Sequence, residues 1–263
     1  MKLLTIGDVC GEIGLIALSQ ALPKLIQTHK PDLIVVNGEN ADVIGLTPLQ
    51  AERIFMMGAH VVTLGNHAFG RGQIASVLDK DERILRPLNL TKHAPGGGYI
   101  ELPCRSVTVG VMCLIGRCYM EHNFDNPFLA AEAQLAQSNA DIVVVEFHAE
   151  ATSEKMAMAY HLDGLDSRVV ALYGTHTHVQ TSDERVFPNG MGAITDIGMT
   201  GAYDSILGVK PHQSLNRYLG KMPERYTSPQ SGATVVEGAV FSVDTESKKC
   251  IGIERVRVFG EAI

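Results

Sequence analysis

Apolar residues along the chain fall into short β-branched runs, separated by stretches whose apolar positions recur every three or four residues. The runs are Leu3 to Ile6, Leu33 to Val36, Val61 to Leu64, Val107 to Leu114, Ile142 to Val145 and Val169 to Tyr173. Such runs are too short for buried helices and are rich in side chains that suit a pleated surface, so they predict strands. Between several of them, Leu15 to Ile26, Leu49 to Met57, Gly72 to Leu78 and Pro127 to Ala136 carry helical periodicity. Alternating strand and helix predict α/β architecture. Further on, Ala233 to Val243 and Cys250 to Val258 read as two long strands around the turn residues Asp244 to Lys249, an antiparallel hairpin added to the main sheet. Gly201 to Ser228 reads as loop with a short helix. No repeat, low-complexity tract or linker divides the sequence, which predicts one domain over residues 1–263.

Composition narrows the class. With 263 residues, 45% hydrophobic and 19% charged, the chain suits a soluble globular enzyme with a substantial core. A formal net charge of −7 argues against stable binding of long nucleic acid, but admits small phosphorylated ligands if bound metal supplies the positive charge. Cys10, Cys104, Cys113, Cys118 and Cys250 are odd in number and lack zinc-ribbon spacing, so reduced thiols in a cytoplasmic protein are expected. The apolar run Leu3 to Ile6 is too short for a signal peptide and is soon cut by Asp8. No apolar stretch approaches the roughly 20 residues of a membrane span, so no membrane partner is expected.

The candidate chemistry lies where the strands end. Gly174-Thr175-His176-Thr177-His178 places two imidazoles two residues apart beyond Val169 to Tyr173. On continuing strand both rings would share a side, and on a turn both could converge on one point, as metal ligation requires. Asp8 follows the first run, Glu39 and Asn40 the second, Asn66 and His67 the third, and His148 the run through Val145. Ligands of open α/β sheets collect outside the carboxyl ends of strands, so these distant residues are expected to meet at one edge. Gly7, Gly38, Gly65 and Gly174 precede the ligand-bearing turns, where a sharp backbone bend is expected.

Blander roles compete for single residues. Asp8 could cap the helix beginning near Glu12 or Ile13, Asn40 could hold a turn, and Asn66 could start a helix after Gly70. Glu39 is harder to explain as a cap. His29, His60, His93, His122, His161 and His212 lack strand-end context and read as surface or core residues, while Asp42, Glu154 and Asp163 read as solvated.

Taken in order, Gly7-Asp8, Gly38-Glu39-Asn40, Gly65-Asn66-His67, His148 and Gly174-x-His176-x-His178 resemble the calcineurin-like metallophosphoesterase superfamily. Two departures stand out: Asp8-Val9-Cys10 lacks the usual histidine of an Asp-x-His block, and Glu39 replaces the bridging aspartate. With the segments Phe147 to Lys155, Thr175 to Thr181 and Thr195 to Gly201, they resemble one bacterial branch, the YmdB-like 2′,3′-cyclic-nucleotide 2′-phosphodiesterases, almost end to end. Beside that family Asp163 to Arg168 looks slightly long and is expected to be an exposed loop.

The resemblance implies a four-layer fold, a central β-sandwich of two sheets flanked by helices. It also implies two metal ions per subunit, usually iron, with manganese or zinc as alternatives. Asp8, Glu39, Asn40 and His178 would hold one ion and Glu39, Asn66, His148 and His176 the other, with Glu39 bridging and His67 as general acid. Cys10 would be a bystander, with Asn40 completing the first ion's coordination sphere. Two divalent ions balanced by Asp8 and Glu39 leave the site at about +2, or about +1 with a bridging hydroxide, which attracts a phosphodiester. That hydroxide would attack phosphorus in line while His67 protonates the departing 2′ oxygen, giving a 3′-nucleotide. The same ligand set would also serve a phosphomonoesterase or broader phosphodiesterase, or a regulatory protein acting through RNA-processing partners. A homo-oligomer remains open.

Overall fold

The computed structural model describes residues 1–121 and 124–262. His122 therefore lies outside the described residues. In chain order the first half contains β1 (Lys2–Ile6), β2 (Asp8–Val9), α1 (Gly11–His29), β3 (Leu33–Asn37), α2 (Pro48–Met56), β4 (Val61–Thr63), α3 (Ala75–Leu78), β5 (Ile84–Leu85), β6 (Tyr99–Cys104) and β7 (Val107–Ile115). Then follow α4 (Pro127–Gln137), β8 (Ile142–His148), α5 (Thr152–Leu165), β9 (Val169–Thr175), β10 (Arg185–Val186), β11 (Gly192–Ile194), β12 (Met199–Ala202), α6 (Pro211–Tyr218), β13 (Gly232–Asp244) and β14 (Lys249–Ala262).

These strands form two sheets. The eight-stranded sheet runs β2-β12-β13-β1-β3-β4-β5, with β14 against β13, and the six-stranded sheet runs β10-β11-β9-β8-β7-β6. The parallel strands β1, β3, β4 and β5 lie in the first, and β7, β8, β9 and β11 in the second. Period-two alternation on buried strands then sorts the side chains. Leu3, Val35 and Val61 pack between the sheets against Val111, Val144 and Tyr173. Their neighbours Leu4, Ile34 and Val62 face α1 and α2. Met112, Val143 and Val145 face α4 and α5. The result is the expected order of helices, sheet, sheet and helices.

Local sequence explains the helix ends. Thr47 caps α2 in a reciprocal capping box with Gln50, and Pro48 occupies its first turn. Lys30 closes α1 in the left-handed region at φ 50°. The hairpin β13–β14 is present, and β13 inserts antiparallel beside β1 and β12. Gly72 to Leu78 is a 3-10 turn at Gly72–Ile74 running into α3.

Three expectations are corrected. Helix α5 shows no apolar stripe because its buried face carries Glu154, Lys155 and Asp163 beside Met158, Ala159 and Leu162. Glu154 and Asp163 are accordingly not solvated: Glu154 accepts from the backbone N–H of Arg117 and Cys118, and Asp163 from those of Asn189 and Met191. Asp163 to Leu165 closes α5, so only Asp166 to Arg168 belongs to a connecting turn. Asp42 is half-buried and pairs with Arg71.

Candidate metal centre

The carboxyl ends of the central strands of both sheets share one rim. The first sheet brings Asp8 at the start of β2, Glu39 and Asn40 after β3, and Asn66 and His67 after β4. The second brings His148, the last residue of β8, and His176 and His178 from the turn after β9. All the residues singled out at strand ends are therefore gathered together.

His148 Nε2 lies 3.0 Å from Glu39 Oε1, 2.9 Å from Asn66 Oδ1 and 3.1 Å from His176 Nδ1. Toward the other sheet edge, Asn40 Nδ2 lies 3.3 Å from Glu39 Oε1 and 3.2 Å from His178 Nε2, and His178 Nε2 lies 3.7 Å from Asp8 Oδ1. Glu39 thus stands between two groups, Asn66, His148 and His176 on one side and Asp8, Asn40 and His178 on the other. His67 occupies the open edge: its Nδ1 is 2.9 Å from Asn40 Oδ1, and its side chain is 35% exposed whereas Glu39 is wholly buried.

This donor set fits a cation. Ligand atoms of Glu39, His148 and His176 lie within 4.8 Å of one another. Asp8 Oδ1 is buried without a hydrogen-bond partner, an arrangement that is costly unless positive charge approaches it. Mixed imidazole, amide and carboxylate donors suit iron, manganese or zinc. Burial pushes the Asp8 carboxyl up, against the pull of His178 and His148. Burial would also raise Glu39, but His148 and His67 outweigh it and hold that carboxyl at about 2. His176 is driven down to about 3 by burial and by His148, which keeps its ring neutral with a lone pair to offer. Burial alone would depress His148, yet Glu39 and Asp8 raise it, as expected of an imidazole beside uncompensated carboxylates.

Residues that sequence reasoning missed hold these groups in place. Thr175 Oγ1 lies 2.8 Å from His148 Nδ1 and donates to Glu146 Oε1 at 2.9 Å, so it can accept the ring N–H and fix its orientation. Glu146 is fully buried between the sheets and also accepts from Asn37, Thr63 and Tyr173. His176 and His178 have φ of 94° and 62°, a strained region for side chains other than glycine. Asp196 braces that turn, accepting from the Thr177 hydroxyl at 2.7 Å and from Lys155 Nζ at 2.8 Å, with Lys155 itself buried. His176 Nε2 lies 3.2 Å from Glu150, and His178 Nδ1 donates to Leu207 O at 3.1 Å. Cys10 Sγ lies 3.6 Å from that same Nδ1 and donates to the Asp8 carbonyl at 3.3 Å, whereas the Asp8 carboxylate faces His178 Nε2. The in-strand glycine Gly174 and the buried Glu146 were the available signals, because a carboxylate inside an apolar strand needs partners.

The glycines act differently from expectation. None of Gly7, Gly38, Gly65 and Gly174 is among the positive-φ residues. What they supply is clearance: a Cβ at Gly65 would collide with Glu39 and His148, and one at Gly174 with the Thr195 carbonyl.

The chain is 38% identical to the 2′,3′-cyclic-nucleotide 2′-phosphodiesterase of Bacillus subtilis (strain 168), over 98% of this chain and 97% of that one. A crystal structure of a phosphatase from Mycoplasma pneumoniae superposes with a TM-score of 0.92 at 31% identity, covering 100% of this chain and 94% of that one. A protein from Thermus thermophilus superposes with a TM-score of 0.91 at 36% identity, each chain covered in full at 100%. The sequence model of the YmdB-like proteins matches residues 4–256, and with its metallophosphoesterase fold the chain belongs to that family.

Proposed function

We propose that this chain is a dinuclear-metal phosphodiesterase that opens 2′,3′-cyclic nucleotides to 3′-nucleotides. The observation that carries the reading is the convergence of Asp8, Glu39, Asn40, Asn66, His148, His176 and His178 from both sheets, with Asp8 Oδ1 left unpartnered. Asp8, Glu39, Asn40 and His178 hold one ion and Glu39, Asn66, His148 and His176 the second, with iron the first choice and manganese or zinc the alternatives. When bound, the ions supply an activated water and positive charge for the phosphoryl oxygens. Asn40 orients the His67 ring through Nδ1, and His67 delivers a proton to the departing 2′ oxygen, a poor leaving group as an alkoxide. Among the described residues no helix is long and apolar enough to cross a membrane, and all five cysteines are free.

The test is turnover of 2′,3′-cyclic AMP by the iron- or manganese-loaded chain, with products separated by chromatography. The expected product is 3′-AMP. Release of 2′-AMP, or hydrolysis of phosphomonoesters alone, refutes the proposal; the latter result is the one favoured by likeness to the Mycoplasma protein described as a phosphatase.

A further inference from the structure

A cavity of about 450 Å³ opens from His67, His176 and His178. Its size is within the roughly 300–1,000 Å³ of small-molecule sites. Its two ends differ in chemistry. The inner end is lined by the proposed ligands, and the outer wall by Ile206, Leu207, Tyr218 and Tyr226 from the segment between β12 and β13. Among the described residues no lysine or arginine lines the cavity, and Glu121 stands on it. Apart from Arg217, which donates to the Tyr226 hydroxyl, the outer end is walled by aliphatic and aromatic side chains, a surface suited to an uncharged planar group.

That wall is anchored. Buried Gln213 of α6 accepts from Thr227 N–H at 2.9 Å and donates to Arg225 O at 3.0 Å, locking the helix that carries Tyr218 to the connecting segment that carries Tyr226. Arg217 donates to the Tyr226 hydroxyl at 3.3 Å. Leu207, held at φ 52°, offers its carbonyl to His178 Nδ1 at 3.1 Å, which ties the wall to the metal centre at a fixed distance. Tyr218 is 84% exposed, so its ring is not consumed by packing.

We infer that Tyr218 and Tyr226, with Ile206 and Leu207 as an apolar shelf, form a nucleobase subsite. This inference rests on the phosphodiesterase reading for the phosphate end but not for the base end. Stacking of a base on an aromatic ring changes affinity by roughly fivefold or more when the ring is removed.

The test is isothermal titration of the manganese-loaded chain with 3′-AMP and with 1-O-methylribose 3-phosphate, the same ligand without its base. The parent chain is expected to prefer 3′-AMP, Tyr218→Ala and Tyr226→Ala each to cut that preference about fivefold or more, and Tyr218→Phe to keep it. Equal binding of the two ligands by the parent, or equal weakening of both in the alanine variants, overturns the subsite. A chain that prefers 3′-AMP in this way yet opens no cyclic nucleotide refutes the phosphodiesterase reading and leaves the subsite standing.

Discussion

Thr175→Val tests the link between the buried Glu146 cluster and the metal centre. The substitution keeps shape and burial but removes the hydroxyl that joins His148 Nδ1, 2.8 Å away, to Glu146 Oε1 at 2.9 Å. The His148 ring N–H is then left buried without an acceptor, and Glu146 loses one of its donors. Together these losses cost about 2–4 kcal/mol. For a chain of this size each kcal/mol lowers Tm by roughly 2–4 °C, so the metal-free variant should melt about 5–15 °C below the parent. Freed from Thr175, the imidazole no longer presents Nε2 in a fixed direction toward Glu39 and Asn66, and metal affinity should fall about 10- to 100-fold, or about 1.4–2.8 kcal/mol. Calorimetry on the chelated proteins gives the first quantity and competition against a chelator of known affinity gives the second. Thr175→Ser should restore both. A variant that melts early but binds metal as tightly as the parent refutes the orienting role, and one that matches the parent on both counts removes the relay altogether.

Other variants separate the remaining roles. Glu39→Gln removes charge at the point common to both ligand groups and should lose metal and activity together; about two metals per chain in an active variant, by elemental analysis, would sink the bridging assignment. His67→Ala should keep both metals while slowing opening of 2′,3′-cyclic AMP by roughly 10²- to 10⁴-fold, with a much smaller defect on a nitrophenyl phosphodiester whose phenolate leaves unaided. Equal losses on the two substrates contradict that assignment. Cys10→Ala should hold metal content and rate within about twofold, since the thiol touches His178 at Nδ1 rather than Nε2 and Asp8 at its backbone carbonyl rather than its carboxylate. Asp163→Ala should lower Tm by roughly 2–10 °C by leaving the backbone N–H groups of Asn189 and Met191 without their acceptor, measured by the same calorimetry.

What could be read from the sequence follows physical lines. The central strands were visible because they are buried on both faces and so run continuously apolar, and the residues at their ends were visible because polar side chains interrupt those runs. The division of the strands between two sheets was not visible in periodicity, since a fully buried strand carries no sign of which layer it joins. It came from family resemblance. Helix α5 escaped because Glu154, Lys155 and Asp163 occupy its inner face, where the pattern leads one to expect apolar residues. The short strands β2, β5, β10 and β11 and the aromatic wall over the centre escaped for a simpler reason: elements of two or three residues and long loops are fixed by tertiary partners rather than by local preference.

The split origin of the proposed ligands has a consequence for the order of events during synthesis. Every oxygen and amide donor, from Asp8 through Asn66, is made before the imidazoles of His148, His176 and His178. Strand β1 in turn has one flank bare until Ala239 to Ser242 arrive to pair with it. The proposed ligand set is thus complete in the chain only once His178 has been made, and the sheet that carries its oxygen donors is complete only once β13 has paired with β1.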